Sequence, residues 1–196
     1  MPKTGLSSGE MKEKALQITE EKIRRYGFEK FRLTDIAKEL KVSHAALYNH
    51  FADKAALLDA ISERWLTRID TALAHIAAKP GSPRQLILEW FLAYHECKKE
   101  KVLKDPELFK SFNMAAELHK PFIIQHLQNL HAQLNALVQK ALDAGEIANQ
   151  SPETASRLLL EATVAFHHPR MVLDHKDEDR QPLLKNLVAV LLDGLK

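Results

Sequence analysis

Three of the prolines in this chain stand where they favour the beginning of a helix. Each follows a Ser or Asp that can cap a helix: Ser82-Pro83, Asp105-Pro106 and Ser151-Pro152. Proline at the first helical position costs nothing, because its missing N–H would have no partner inside the helix there. Pro121 marks a similar start, and Gly145 a helix end. The helices predicted from these signals cover about 83–99, 106–118, 121–144 and 152–174.

The remaining sequence also has the periodicity of helices rather than strands. Apolar residues recur every three or four positions, and none of these segments alternates apolar and polar residues as a half-buried strand does. The segments predicted on this basis cover about 8–26, 34–40, 44–50, 53–78 and 182–193. With only six glycines in 196 residues, the composition also favours helices. We predict an all-α fold of about nine helices.

Composition limits where such a protein works. The chain is 45% hydrophobic and 28% charged, a globular balance large enough for one domain or two small ones. No apolar run approaches the roughly 18 residues needed to cross a bilayer, and a signal-peptide core is missing. A single cysteine cannot form an internal disulfide framework. We therefore expect a cytoplasmic protein that does not enter membranes.

Residues 34–51 predict two short helices joined by a tight turn. Ile36, Ala37, Leu40, Val42, Leu47 and Phe51 can share one small core. The second helix then presents His44, Ala45, Tyr48 and Asn49 on one stripe, with Ser43 as its N-cap. A helix that is held by apolar residues on one side and presents polar residues on the other fits the major groove of DNA. These residues predict a helix-turn-helix.

The sequence around this motif resembles the tetracycline-repressor (TetR/AcrR) family of bacterial transcriptional regulators. The stretch is LTDIAKELKVSHAALYNHFADKAALLDAI, residues 33–61. The matching elements are Asp35-Ile36-Ala37, Val42-Ser43, Leu47-Tyr48-x-His50-Phe51, Lys54 and Leu57-Leu58. The resemblance covers about residues 12–60, a quarter of the chain. Lys41 departs from the family's usual glycine in the turn, and a positive φ there would strain it.

The resemblance implies a DNA-binding domain over 1–56 and a ligand-sensing and dimerisation domain over 57–196. It places His44 and Ala45 at base edges, with Thr34 at another groove-facing position, and Tyr48, His50 and Lys54 on the DNA backbone. Ser43 and Asn49 complete the predicted DNA-binding set. It also implies a homodimer that binds a palindromic double-stranded DNA operator, most simply a repressor that a small molecule releases.

Two further sets of residues follow for the second domain. The dimerisation set is Leu158, Ala162, Phe166, Leu184, Leu187, Val188 and Leu191. The ligand-binding set is Trp90, Phe91, Tyr94, Phe112, Phe122, Phe166 and His167, for an apolar or aromatic effector. A simpler interpretation of both sets is that they form the hydrophobic core of the chain, since apolar residues at helical spacing are usually buried. Pro169 is expected to kink the helix predicted over 152–174.

Other function classes find less support in the sequence. An enzyme would need a motif such as GxSxG, HExxH or a glycine-rich loop, and none occurs. Metal sensing would draw on His95, Cys97, His119, His126, His167 and His168, of which only His119 and His126 have even loose helical register, so no metal or cofactor is expected. Cys97 could instead be a redox sensor, although a lone buried cysteine is usually inert. The remaining alternative is a helical dimeric adaptor or small-molecule-binding protein without sequence-specific DNA binding.

Overall fold

The structure is a computed structural model that describes residues 6–148 and 150–195. Within those residues it contains ten α-helices and a short 3₁₀ segment, and no strand. The helices are α1 (Ser8–Tyr26), α2 (Leu33–Glu39), α3 (His44–Tyr48), α4 (Lys54–Ala77), α5 (Pro83–Lys104), α6 (Pro106–Glu117), α7 (Pro121–Asp143), α8 (Pro152–Ala162), α9 (Pro169–Asp174) and α10 (Gln181–Gly194). The predicted all-α fold is confirmed.

The helix predicted over 152–174 is interrupted rather than kinked, and this prediction was wrong. α8 ends at Ala162, the 3₁₀ segment covers Val164–Phe166, and Pro169 is the first residue of α9. The residue before a proline is pushed out of the helical region. His168 accordingly has extended backbone angles, φ −67° and ψ 128°. Pro169 therefore starts a new helix, which is why the count is ten rather than nine.

The described residues form two compact units. The N-terminal unit contains residues 6–65 and 105–119, and the C-terminal unit contains 66–104, 120–148 and 150–195. The sequence predicted a division into 1–56 and 57–196. The units differ from it because the first half of α4 and the whole of α6 pack with the N-terminal helices.

A single apolar core holds the N-terminal unit together. Its buried members are Ala15, Leu16, Ile23, Phe31, Leu33, Ile36, Ala37, Leu40, Leu47, Phe51, Leu57, Ile61 and Leu108. They come from α1, α2, α3, α4 and α6, except that Phe31, Leu40 and Phe51 lie in the segments between these helices. Because α2 and α3 supply apolar residues to one common core, their relative orientation is fixed by packing on α1 and α4.

α6 is fixed to α1 by charge as well as by packing. The guanidinium group of Arg24 donates to both carboxylate oxygens of Asp105, with Nη2 to Oδ2 at 3.1 Å. Such a two-point arginine–carboxylate pair constrains geometry more than a single ion pair does. Arg64 on α4 likewise donates to Glu13 and Glu20 on α1. These pairs tie α4 and α6 to the helix that supports the helix-turn-helix.

The C-terminal unit is a bundle in which α5 contacts α7, α9 and α10, and α7 also contacts α8. Trp90 and Phe91 on α5 are completely enclosed. Arg84 at the start of α5 donates to the carboxylate of Asp193 on α10 at 2.6 Å. In the described part of the chain no helix is long and apolar enough to cross a membrane.

Candidate nucleic-acid interface

The turn between α2 and α3 is built on a lysine with left-handed backbone angles. Lys41 has φ +57°. The family usually has glycine at this position, and glycine adopts positive φ without strain. The N–H of Val42 donates to the carbonyl of Ala37 at 3.0 Å, and the N–H of Lys41 to that of Lys38 at 3.1 Å. These two bonds form a Schellman motif, which ends α2 and satisfies its last carbonyls. The turn angle is thus set by backbone hydrogen bonds.

α3 begins at a side-chain cap and is anchored from below. The hydroxyl of Ser43 accepts a hydrogen bond from the N–H of Ala46 at 3.2 Å. Leu47 is completely buried, and Phe51 just after the helix is nearly so. A five-residue helix is too short to be stable alone. The cap and the two apolar anchors hold it in place against the N-terminal core.

The opposite face of α3 is exposed and carries hydrogen-bonding groups. His44, Ala45 and Asn49 are exposed, and Tyr48 is 42% exposed. The imidazole of His44 lies against the ring of Tyr48, with centroids 4.5 Å apart. This contact restricts the rotamers of both side chains before any ligand arrives. The predicted stripe is therefore present as a single preformed surface, which we call the α3 face (His44, Ala45, Tyr48 and Asn49).

Four predicted residues lie outside the α3 face, one of them Ser43, the N-cap of α3. Thr34 is exposed on the first turn of α2, and His50 is half-buried after α3. Lys54 is half-buried at the start of α4, where its ammonium group donates to the carbonyl of Glu29 at 2.8 Å. It also lies 4.4 Å from the centroid of the Phe31 ring. The sequence predicted Lys54 for a phosphate, and the structure gives it an internal contact as well, which leaves two ammonium N–H groups for other acceptors.

Two family models match the chain. The model described as bacterial regulatory proteins, tetR family, matches residues 16–61, which include the whole helix-turn-helix. The model described as tetracyclin repressor-like, C-terminal domain, matches residues 83–188, more than half of the chain. The chain belongs to the TetR family of bacterial regulatory proteins. The predicted resemblance is confirmed, and with it the expectation of a helix-turn-helix DNA-binding regulator rather than an enzyme.

Solved structures share the fold of this TetR-family chain at low sequence identity. A transcriptional regulator of the TetR/AcrR family from Thermobifida fusca YX-ER1 is 19% identical, covers 94% of this chain and 98% of its own, with a TM-score of 0.68. A protein from Pseudomonas aeruginosa PAO1 is 18% identical over 99% and 94%, with a TM-score of 0.73. SmeT, the repressor of the Stenotrophomonas maltophilia multidrug efflux pump SmeDEF, is 18% identical over 98% and 89%, with a TM-score of 0.64. No curated protein sequence matches the chain.

Most of the residues predicted for a TetR-type ligand site lie in the C-terminal unit, but one does not. Trp90, Phe91, Tyr94 and Phe166 are buried there, while Phe122 and His167 are half-buried. Phe112 belongs to the N-terminal unit, where its ring meets that of Trp65 edge-on at 4.6 Å between centroids. Phe112 thus lies in a different unit from the other predicted ligand-site residues, because α6 packs with α1.

The dimerisation set also needs correction. Leu184 and Val188 on α10 are completely enclosed within the C-terminal unit, and Phe166 is almost so. Because a residue enclosed in its own chain has no surface to offer a second copy, these three are core. Their neighbours face outward instead. Leu158 is 49% and Val190 67% exposed, and they line a shallow apolar groove of about 250 Å³ together with Leu159, Ala162, Leu191, Gly194 and Leu195.

A polar cluster inside the C-terminal unit was not predicted from the sequence. It consists of Asp70 on α4, Lys98 on α5, and His126, Asn129 and Gln133 on α7. One signal for it was available: Lys98 continues the row Trp90, Tyr94, Lys98 at i+4 spacing, so it had to share the buried side of α5. No three His, Cys, Asp or Glu residues of the described chain are grouped to hold a metal ion.

Proposed function

We propose that this protein is a ligand-responsive transcriptional repressor that acts in the cytoplasm and binds a palindromic DNA operator as a homodimer. The observation that carries the proposal is the α3 face, an exposed polar surface on a helix whose other side is anchored by Leu47 and Phe51. A rigidly held helix can present its side chains to base edges in the major groove. His44 and Ala45 would contact bases, while Tyr48, His50 and Lys54 would contact the backbone, with Thr34, Ser43 and Asn49 beside them.

A dimer fits this proposal because one five-residue helix offers few contacts. Two copies related by a two-fold axis would place two α3 helices on successive major grooves. The groove between α8 and α10 supports such pairing, since its exposed residues Leu158 and Val190 are apolar, and Leu183, also on α10, is an exposed apolar residue too. An isologous interface brings the same surface of each subunit together. The corrected dimerisation set is Leu158, Ala162, Leu183, Leu187, Val190 and Leu191.

Release by a small molecule would follow from a change of shape along α4. This helix is continuous from Lys54 in the N-terminal unit to Ala77 in the C-terminal unit. An effector bound in the C-terminal unit can weaken DNA binding only if it favours a conformation that binds DNA less well. SmeT, a repressor of similar fold, supports a repressor role in preference to an activator role.

The test is fluorescence anisotropy with DNA from upstream of the protein's own coding region. We expect saturable binding that falls steeply with salt, and that requires both halves of a palindrome. A scrambled palindrome of equal length is the control. A stable dimer that binds the scrambled and natural sequences equally would contradict the proposal and would favour the helical adaptor instead.

A further inference from the structure

The turn of the helix-turn-helix contains a lysine in a strained backbone conformation. Lys41 has φ +57°, in the left-handed region where the β-carbon of an L-residue crowds the backbone. The two backbone hydrogen bonds of the Schellman motif need no side chain, and glycine would form them without strain. The turn itself therefore does not require a lysine at this position.

Another strained residue of the protein shows a useful contrast. Among the described residues, the other non-glycine residue with positive φ is His119, which follows α6 with φ +49°. Its ring nitrogen Nδ1 lies 3.0 Å from the carbonyl oxygen of Glu117, so its side chain gains a contact inside the protein. Lys41 is exposed, and its side chain forms no hydrogen bond or ion pair with the part of the chain that the structure describes. No contact within those residues offsets the strain at Lys41.

Other lysines near the helix-turn-helix are already used inside the protein. The ammonium group of Lys22 lies 2.7 Å from a carboxylate oxygen of Glu39, the acidic residue nearest to Lys41 in the sequence. The ammonium group of Lys54 donates to the carbonyl of Glu29. Lys41 differs from both, because all three N–H donors of its ammonium group remain available to a ligand.

Lys41 lies in the segment that joins the two helices of the motif. α2 ends at Glu39, and α3 begins at His44, three residues after Lys41. When a helix-turn-helix binds DNA, its first helix crosses the phosphate backbone while the N-terminal residues of its second helix contact base edges. A turn that joins these two helices therefore lies close to the backbone. The position of Lys41 favours a contact with phosphate rather than with bases.

We propose that the ammonium group of Lys41 binds a phosphate group of the operator backbone, and that this added affinity is what the strained lysine provides. This inference rests on the proposed function and adds to the DNA-binding set a residue that the family's usual glycine could not supply. An ammonium group binds phosphate as a point charge, without regard to the base sequence. Lys41 thus strengthens binding and helps to position α3 on the duplex, but it does not select the operator.

The proposal gives Lys41 opposite effects on folding and on DNA binding. Lys41→Gly relieves the strain and removes the charge, so it should make the protein more stable and weaken its binding to DNA. Lys41→Gln keeps a β-carbon, and with it the strain, but removes the charge. It should therefore weaken DNA binding while the stability stays close to that of the wild type. A residue with a structural role alone would lose affinity only together with stability.

The experiment is fluorescence anisotropy of the full-length protein with two duplexes, measured between about 0.05 and 0.4 M salt. One duplex is the DNA from upstream of the protein's own coding region, and the other is a scrambled duplex of equal length. A dimer carries two copies of Lys41, so Lys41→Gln should reduce the slope of log affinity against log salt by about 2. Its affinity for both duplexes should fall at least about tenfold at low salt, and the deficit should shrink as salt rises.

Two further variants are the matched controls. Lys41→Arg keeps the charge, and Lys176→Gln removes a charge from an exposed lysine of the C-terminal unit. Both should keep the affinity and the salt slope of the wild type. Circular dichroism and urea denaturation show that each variant is folded. A folded Lys41→Gln protein with the affinity and slope of the wild type would overturn the inference, as would an equal loss in Lys41→Arg or in Lys176→Gln.

The two duplexes separate this inference from the proposed function. If the wild type prefers the natural duplex and Lys41→Gln binds it equally well, the phosphate contact is wrong and the regulator stands. If the wild type binds both duplexes equally, the proposed function fails, and a weaker Lys41→Gln protein would still support the phosphate contact. If the wild type binds neither duplex, both are overturned.

Discussion

Lys41 and Gly145 occupy the same position in two copies of one helix-ending motif. Lys41 follows α2 with φ +57°, and Gly145 follows α7 with φ +69°. In the second copy the N–H of Glu146 donates to Ala141 and that of Gly145 to Leu142, both at 2.9 Å. These bonds repeat the pattern of the first turn, so the two sites differ in the residue that adopts the left-handed conformation.

Substitutions at these two positions should have opposite effects on the free energy of unfolding. Lys41→Gly should raise the free energy of unfolding by about 0.5–1 kcal/mol, because glycine adopts positive φ without strain. Gly145→Ala should lower it by about 1 kcal/mol, since an added methyl group meets no atom within 4 Å and only backbone strain remains. Urea denaturation monitored by circular dichroism measures both. A decrease in the stability of Lys41→Gly would show that the lysine side chain stabilises the fold by more than the backbone strain destabilises it.

Lys54 should matter for stability as well as for DNA. Lys54→Ala removes the hydrogen bond to Glu29 and the contact with the Phe31 ring, and we expect a loss of about 1–2 kcal/mol. Under the proposed function it should also weaken binding to every DNA sequence alike and reduce the salt slope. Lys30→Ala, at an exposed lysine between Glu29 and Phe31, is the stability control. Unchanged DNA affinity at moderate salt would exclude Lys54 from the interface.

His44 and Tyr48 should separate sequence preference from general affinity. His44→Ala removes a group at the N-terminal end of α3, and under the proposed function, in which this end contacts base edges, it should change the preferred operator sequence. Tyr48→Phe keeps the ring contact with His44 but removes the hydroxyl group, and should weaken all operators by a similar factor. Binding to a library of operator variants measures both effects. Equal loss on all operators in His44→Ala would assign it to the DNA backbone.

The groove between α8 and α10 can be tested with two equally exposed leucines. Leu158 and Leu127 are each 49% exposed, but only Leu158 lines the groove. Under the proposed function Leu158→Glu should convert the dimer to a folded monomer, because two charges would be buried at a two-fold interface. Leu127→Glu should leave the oligomeric state unchanged. Light scattering after size-exclusion chromatography gives the mass of each variant. A Leu158→Glu protein that is still a dimer would show that the dimer interface is not at this groove.

The buried Lys98 predicts a rise of stability with pH. Its pKa is lowered from 10.5 to about 7 by burial, so between these values the unfolded chain binds more protons than the folded one. The free energy of unfolding should therefore increase with pH across this window, and the penalty is complete below pH 7. Lys98→Met should be more stable than the wild type at pH 7 by an amount on the order of a few kcal/mol, and this difference should shrink by pH 9.5.

The quantity to measure is the difference in free energy of unfolding between Lys98→Met and the wild type. Other lysines and tyrosines titrate in both proteins, so their contributions cancel in this difference. Urea denaturation at pH 7, 8, 9 and 9.5 provides it. A difference that does not change with pH would mean that Lys98 is charged in the folded protein throughout this range.

Local signals were enough to place most helices and the α3 face. Ser43 caps α3, and Leu47 and Phe51 are buried because the apolar spacing of a helix and its caps depend on residues within one or two turns. The same spacing could not separate the inside of the C-terminal unit from its surface. Leu184 and Leu183 are adjacent leucines, but only Leu184 is enclosed, and which side faces inward depends on where α5 packs.

The sequence by itself determined the all-helical class, the positions of the caps and breaks, and the membership of the TetR family, because each depends on neighbouring residues or on a contiguous motif. The tertiary structure alone decided that α6 packs on α1, that Lys54 reaches Glu29, and that Asp70 meets His126. The partners in these contacts are 25 to 81 positions apart. Such pairs come together only when whole helices pack, and no local pattern specifies which side chains then share a buried space.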